Sequence, residues 1–153
     1  MNYTILKNEI LNDPSGKGYA TFLPESTGKV AELLNAKTEH MIKSKMITAR
    51  GIMASYGIGP VAGAAFLDKL EIVAQSVPSV KWAMKFLQQE AGIDVGESAT
   101  QSMLDSLVGI AGVTAQEVQG IKAIGMQPSS RVEIILGADK YASEQDVIIA
   151  LGN

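Results

Sequence analysis

Four hydroxyl residues in the second half of the chain are each followed, three positions later, by Gln, Glu or Asp. The pairs are Ser98 with Gln101, Thr114 with Glu117, Ser130 with Glu133 and Ser143 with Asp146. In such a capping box the hydroxyl accepts a hydrogen bond from the amide three residues on, and the longer side chain reaches back to the cap's own amide. Apolar residues at helical spacing follow each pair, so the pattern predicts four successive helices, the last over Glu144–Leu151.

Further helices are predicted by apolar spacing over 3–11, 24–36, 61–75 and 79–91. Turn-forming residues interrupt the helical pattern at Asp13-Pro14-Ser15-Gly16 and again at Gly57-Ile-Gly-Pro60. Pro78 is expected to end the 61–75 helix. Residues 37–45 are polar and predict an exposed loop or linker. Residues 46–50 are of β type and predict one weak strand or hairpin region, which needs partners to be stable.

We therefore predict a mainly α fold, one domain overall, with two parts. Residues 1–40 form an N-terminal helix-turn-helix arm suited to docking. Residues 41–153 form a helical body, in which the weak strand region precedes a bundle of about five short helices. A chain of 153 residues buries roughly 70% of its unfolded surface, enough for a real core. With 46% apolar and 19% charged residues, it is too apolar for general disorder.

The composition also argues against several classes of partner. A formal net charge of −3 gives no electrostatic attraction to nucleic-acid phosphates, so we expect no nucleic-acid partner. Cysteine is absent, which excludes disulfides, thiolate chemistry and Cys-ligated metals, and fits a reducing cytoplasm. No stretch of about 18 uninterrupted apolar residues predicts a membrane span, and the charged first 13 residues do not resemble a secretory signal.

The candidate chemical groups are scattered. His40 is the single histidine and lies in the polar segment, away from any nucleophile or second metal ligand. Gly16-Lys17-Gly18 is followed by Tyr19 and lacks the spacing of a phosphate-binding loop. Asp68 and Glu71 lie three residues apart on one helix face, which predicts that both are solvated. Glycosidases instead use two carboxylates that face each other across a cleft. We expect no enzyme, no cofactor and no metal site; a small carboxylate-dependent hydrolase is the catalytic alternative.

Two stretches resemble a family of small proteins encoded among the virion-structure genes of tailed bacteriophages. The first comprises Leu6-Lys-Asn-Glu-Ile10, Asp13-Pro-Ser-Gly-Lys-Gly-Tyr-Ala20 and Val30-Ala-Glu-Leu-Leu-Asn35. The second comprises Ser130-Arg-Val-Glu-Ile-Ile-Leu-Gly137 and Asp146-Val-Ile-Ile-Ala-Leu151. The likeness covers about the first 35 and the last 25 residues. The chain departs from the family pattern at Val132 and Leu136, where alanine and phenylalanine are usual, and in the spacer 138–142.

The resemblance implies a structural component of a phage particle, in the neck or tail, made in the host cytoplasm and located in the virion. Its partners would be its own copies, in a ring or stack, and neighbouring virion proteins, because symmetry multiplies a modest contact. A non-virion adaptor or assembly chaperone from the same gene module is the alternative. Either role agrees with amphipathic helices and no catalytic constellation.

Eight residues are candidates for partner contacts. The break that projects the first helix contributes Asp13, Pro14, Gly16, Gly18 and Tyr19, and the start of a later helix contributes Arg131 and Glu133 as candidate intersubunit ion-pair formers. Trp82, flanked by Lys81 and Lys85, has two interpretations: a half-buried core residue or part of an exposed protein-binding face. Arg131 has two as well, since it is also compatible with an ordinary surface position.

Overall fold

The computed structural model describes residues 1–55 and 58–152. Within these residues the protein is mainly helical: nine α-helices and a short 3-10 helix (Tyr19–Phe22) together make up 58%, and there are two small two-stranded sheets, which confirms the predicted fold class. The helices are α1 (Tyr3–Asn12), α2 (Thr27–Asn35), α3 (Ala49–Ala54), α4 (Gly59–Ala74), α5 (Pro78–Leu87), α6 (Ser98–Ser106), α7 (Ala115–Ala123), α8 (Arg131–Leu136) and α9 (Glu144–Leu151). The strands are β1 (Glu39–Ile42), β2 (Met46–Ile47), β3 (Ile93–Asp94) and β4 (Met126–Ser129).

Three of the four capping boxes form as predicted. Thr114, Ser130 and Ser143 each accept from the amide three residues on, and the acidic partner accepts from the cap's own amide. The prediction for Ser98 was wrong, because α6 begins one residue earlier and takes Glu97 as its cap residue. The Gln101 side-chain amide donates instead to the carbonyl of Val95.

The first of two compact units comprises residues 1–41 together with the chain from Gln127 onward. Its α1 and α2 both pack against α9, and α2 also packs against α8. The fully buried side chains at its centre are Leu6, Tyr19, Val30, Leu34, Val132, Ala142 and Val147. The predicted division at residue 40 assigned the C-terminal segment to the body. In the structure, that segment shares a hydrophobic core with the predicted arm.

The second unit comprises Ile42–Met126. Helix α4 packs against α3 and α5, and α6 packs against α7, around a core that includes Phe66, Leu107 and Ile121. Strands β2 and β3 are antiparallel and pair Met46 with Asp94 and Ile47 with Ile93. These contacts bring the part of the chain before α3 against the part before α6.

The region between the arm and α4 differs most from the prediction. Strand β1 falls inside the segment predicted as an exposed loop, and it pairs with β4. The predicted strand region 46–50 holds only the two residues of β2. Helix α3 follows at once because Thr48 caps it, accepting a 3.0 Å hydrogen bond from Gly51. Gly57, part of the second predicted break, lies outside the described residues. Pro78 opens α5, four residues after α4 has ended.

Candidate functional site

The Asp13–Gly18 segment forms a tight corner at the end of α1. Asp13 adopts a left-handed conformation, and its amide donates to the carbonyl of Glu9, closing the helix. The Asp13 carboxylate then accepts from the amides of Lys17 and Gly18, both at 2.7 Å. Gly16 and Gly18 have φ of +65° and +77°, which favours glycine at both positions. Pro14 is exposed on this corner. The side chain of Asp13 thus holds the corner together from within.

A largely buried ion pair joins α1, just before this corner, to α8. Arg131 donates through Nε and one terminal nitrogen to the two carboxylate oxygens of Glu9, each at 2.9 Å. Ser15 also donates to Glu9 at 2.7 Å. The other terminal nitrogen of Arg131 lies 3.4 Å from Glu39, whose second oxygen lies 3.1 Å from Lys17. The two stretches that resemble the phage family are therefore connected by an alternating network of charges.

Two other predicted partner residues lie inside the first unit. Tyr19 is fully buried, and this burial raises the pKa of its hydroxyl to about 12. Glu133 is also buried; its carboxylate accepts from the amides of Ser130 and Asp139. Arg131, proposed as an intersubunit ion-pair former, has Glu9 and Glu39 of its own chain as partners. These side chains hold the unit together internally.

Trp82 belongs instead to an exposed face. Its side chain is 57% exposed, and the ammonium of Lys85 lies 4.1 Å from the ring centroid. Phe86, one helical turn further on, is 46% exposed. Trp82 therefore lies at the surface of α5, and that this surface binds a protein stays a prediction. The opposite side of α5 carries the apolar anchors Val80, Met84 and Leu87, all buried.

A shallow groove of about 390 Å³ runs between this face and α6. It is lined by Ser79, Trp82, Ala83, Phe86, Ile93, Ala99, Thr100, Met103 and Ser106. Sequence reasoning missed the groove, because Met103 fits the apolar stripe of its own helix and nothing local indicates that Phe86 stands beside it. The lysine-flanked tryptophan was the available signal.

The groups considered for chemistry are placed as follows. His40 is exposed, and Asp68 and Glu71 are both exposed on α4, as predicted for a solvated face. The structured part of the chain, 1–55 and 58–152, holds no cluster of three or more metal-ligating side chains. Over the same residues, no helix combines the length and apolarity needed to cross a bilayer.

A second cleft of about 250 Å³ lies between α4 and α7 and includes Phe66, Thr114 and Glu117 in its lining. Its carboxylate is already engaged: Lys69 donates to Glu117 at 2.7 Å, and this bond holds the pKa of Glu117 below its ordinary value. The same carboxylate accepts from the amide of Thr114 to cap α7. Glu117 is therefore a structural anion at neutral pH.

Comparisons with protein-family models, with curated proteins and with solved structures each gave no match. Functional inference therefore rests on the chain's own residues. Two features of these residues bear on function. One is the Glu9–Arg131 ion pair, which joins the two stretches of sequence that resemble the phage family. The other is the aromatic face of α5, formed by Trp82 and Phe86.

Proposed function

We propose that this protein is a structural component of a tailed-phage particle, in the neck or tail, that acts by packing against its own copies and neighbouring virion proteins. The observation that carries the proposal is the aromatic face of α5. A solvent-exposed tryptophan and phenylalanine one turn apart are costly to leave in water, and both residue types are enriched where proteins bind each other.

The character of this face favours a protein partner. The Lys85 ammonium over the Trp82 ring limits the freedom of the indole, so less side-chain entropy is lost on docking. Two exposed aromatic side chains with Lys81 and Lys85 on one side of Trp82 provide both an apolar anchor and charges that orient a partner. Trp is also among the residues that most often dominate the binding energy of an interface.

The resemblance to phage proteins gains support from the arrangement of the first unit. The two similar stretches lie at opposite ends of the sequence, yet Glu9 and Arg131 join them through a two-bond ion pair. The likeness thus falls on one compact unit with its own core, and the intervening Ile42–Met126 forms a separate one. A motif-bearing unit combined with a second unit that offers a docking face suits a protein held between neighbours.

The test is the protein content of finished particles. Quantitative mass spectrometry of purified particles should find the chain at a fixed copy number relative to the major virion proteins. Trp82→Ala should reduce its incorporation at least tenfold, whereas Tyr141→Ala, which removes a side chain that is 68% exposed in the other unit, should not. Presence of the chain during assembly but absence from finished particles would overturn the proposal and favour the assembly-chaperone alternative.

A further inference from the structure

Trp82 stands between two depressions in the surface of the second unit. On one side lies the groove between α5 and α6, and on the other lies a cleft of about 270 Å³ between the end of α4 and α5. Trp82 lines both of them. The α5 residues at each depression follow the helical spacing i, i+3, i+4 and i+7, counted from Ser79 at the groove and from Pro78 at the cleft. A ligand that lies across the indole therefore reaches both depressions.

The two depressions differ in chemistry. Phe86, Ile93 and Met103 give the groove its apolar surface, and none of the described residues that line it is charged. The lining of the cleft includes Lys81 and Lys85 and, among the described residues, no carboxylate. Neither lysine forms an ion pair with another part of the chain that the structure describes. The face around the indole thus combines an apolar groove on one side with two cations available for a partner on the other.

The distance from the groove to the lysines sets the form of a ligand. An α-helix with its side chains is roughly 10 Å across, so the two sides of α5 lie about that far apart. Extended chain advances about 3.3 Å per residue, and about three residues therefore lead from the groove to the lysines. A short extended segment with a large apolar side chain at one point and carboxylates about three residues away satisfies both depressions.

We infer that this face of α5 binds an acidic segment of a partner protein, which places an apolar side chain in the α5–α6 groove and carboxylates at Lys81 and Lys85. The inference rests on the proposed function, because it states the chemistry of the neighbour that this face meets. The apolar side chain covers Trp82 and Phe86, and the carboxylates complement the two ammonium groups.

The observations favour this occupant over two others. A second copy that docked through the same face would bring the lysines of both copies together, and like charges oppose such a contact. A single-stranded nucleic acid also combines anions with rings that stack on aromatic side chains. The net charge of −3 gives no general attraction to a phosphate backbone, and the groove offers an apolar surface instead of further cations.

The test begins with peptides selected on the intact chain. A ribosome-displayed library of random peptides, about twelve residues long and without tryptophan, should yield sequences that combine Asp or Glu with a large apolar residue about two to four positions away. The most enriched sequence is synthesised as the probe. Trp82 is the only tryptophan of the chain, so its fluorescence reports directly on this face. Binding should move its emission to shorter wavelength, because the peptide replaces water around the indole.

Charge reversal tests the lysines. K81E/K85E should bind the probe peptide about tenfold more weakly or worse, because its carboxylates then meet carboxylates. K37E/K140E makes the same charge change at two exposed lysines of the other unit and should leave the affinity unchanged. Circular dichroism verifies that each variant is folded. If the reversal unfolds the chain, the neutral pair K81Q/K85Q replaces it and should also weaken binding.

A second pair of variants tests the groove. Ala99 lines it and is exposed, so Ala99→Gln puts a longer side chain where the apolar anchor of the peptide would lie, and should weaken binding about tenfold. Ala65→Gln makes the same change at an exposed position of α4 outside the groove and should leave binding unchanged.

Four results would overturn the inference. The library yields no binding peptide, or the selected peptides are neutral or basic. Single-stranded oligothymidine binds and shifts the Trp82 emission where no acidic peptide does, which would assign the face to nucleic acid. Sedimentation velocity shows the unmodified chain associating with itself through a contact that K81E/K85E abolishes, which would assign it to a second copy.

The proposed function fails by a different measurement. None of these binding results bears on whether the chain is present in purified particles. If a probe peptide binds in a manner that depends on Lys81 and Lys85 but finished particles lack the chain, the acidic-segment site stands and the virion role is overturned.

Discussion

Arg131 donates to both carboxylate oxygens of Glu9 at 2.9 Å, across 122 positions of sequence. The Glu9 side chain is 3% exposed and that of Arg131 19%. Parallel two-bond pairing of this kind is both stronger and more directional than a single charged contact. Because Glu9 lies on α1 and Arg131 opens α8, the pair connects the first and last parts of one unit.

Breaking this pair from one side should cost more than removing it altogether. Glu9→Gln leaves Arg131 with a single weaker carboxylate contact in a largely buried site, and we expect a loss of about 3 kcal/mol in the free energy of unfolding. The double variant Glu9→Gln/Arg131→Met leaves no unpaired charge of this pair, so it should lose less than either single variant, Glu9→Gln or Arg131→Met. Urea denaturation of all four proteins measures the coupling.

The exposed pair of Lys29 and Glu32 is the control, and Lys29→Met should change stability by less than about 1 kcal/mol. Additive losses for Glu9 and Arg131 would contradict the expected coupling.

The features that sequence predicts well are local ones. Helix α9 has the predicted bounds, because its start is set by Ser143 with Asp146 and its end by Gly152 in a left-handed conformation. The failure at Ser98 is equally local: Glu97 took the cap position one residue earlier. Hydrogen bonds of this kind form between residues that are close in sequence, so the sequence alone can predict where such helices begin and end.

Features that depend on distant contacts were missed. Nothing near Glu9 indicates that its partner is Arg131, and so residues 1–40 were expected to project as an arm. Strand β1 exists through its pairing with β4, far along the chain, and its own sequence of Glu39, His40, Met41 and Ile42 is only weakly of strand type. The groove beside Trp82 likewise arises where two helices meet.

The capping box of α9 should make stability depend on pH. Hydrogen bonds from the hydroxyl and amide of Ser143, with a further one from Tyr3, hold the pKa of Asp146 below its ordinary value. A carboxylate with a lowered folded-state pKa contributes stability above its unfolded pKa, near 3.9, and this contribution is lost as the pH falls through the folded pKa. Asp146→Asn should therefore cost about 1 kcal/mol at pH 7, typical of a lost cap, and much less at pH 2.5.

Urea denaturation at both pH values checks this expectation. Asp68→Asn, at an exposed position on α4, is the control and should change stability by less than about 0.5 kcal/mol at either pH. An Asp146→Asn loss that is the same at pH 2.5 as at pH 7 would show that the ionised carboxylate is not the stabilising species.

The core of the second unit offers a pair of adjacent test positions. Leu107 is 1% exposed and Val108 is 44% exposed. Leu107→Ala removes buried methyl groups and leaves a cavity, so we expect a loss of about 2–5 kcal/mol in the free energy of unfolding. Val108→Ala should cost less than about 0.5 kcal/mol. Chemical denaturation measures both, and equal losses at the two positions would show that the core is centred elsewhere.

Two glycines in the second unit should respond in opposite directions to alanine. A Cβ on Gly96 would lie 2.2 Å from the carbonyl oxygen of Lys43, and backbone atoms cannot move aside as a flexible side chain can. On Gly120, inside α7, it would lie 3.5 Å from the side chain of Ile58, an ordinary contact. We expect Gly96→Ala to cost about 3 kcal/mol, the upper part of the range for overpacking. Gly120→Ala should instead stabilise by up to about 1 kcal/mol, because alanine favours the helix.

Thermal and urea unfolding of the two variants measures these changes side by side. Both substitutions add one methyl group to the same unit. The difference between their free energies of unfolding therefore reports on the close approach of Gly96, after β3, to Lys43, before β2. The amides of Lys45 and Gly96 both donate to Asp94 at 2.8 Å, which requires these two segments to lie close together. A Gly96→Ala protein as stable as the unmodified chain would mean that they are further apart.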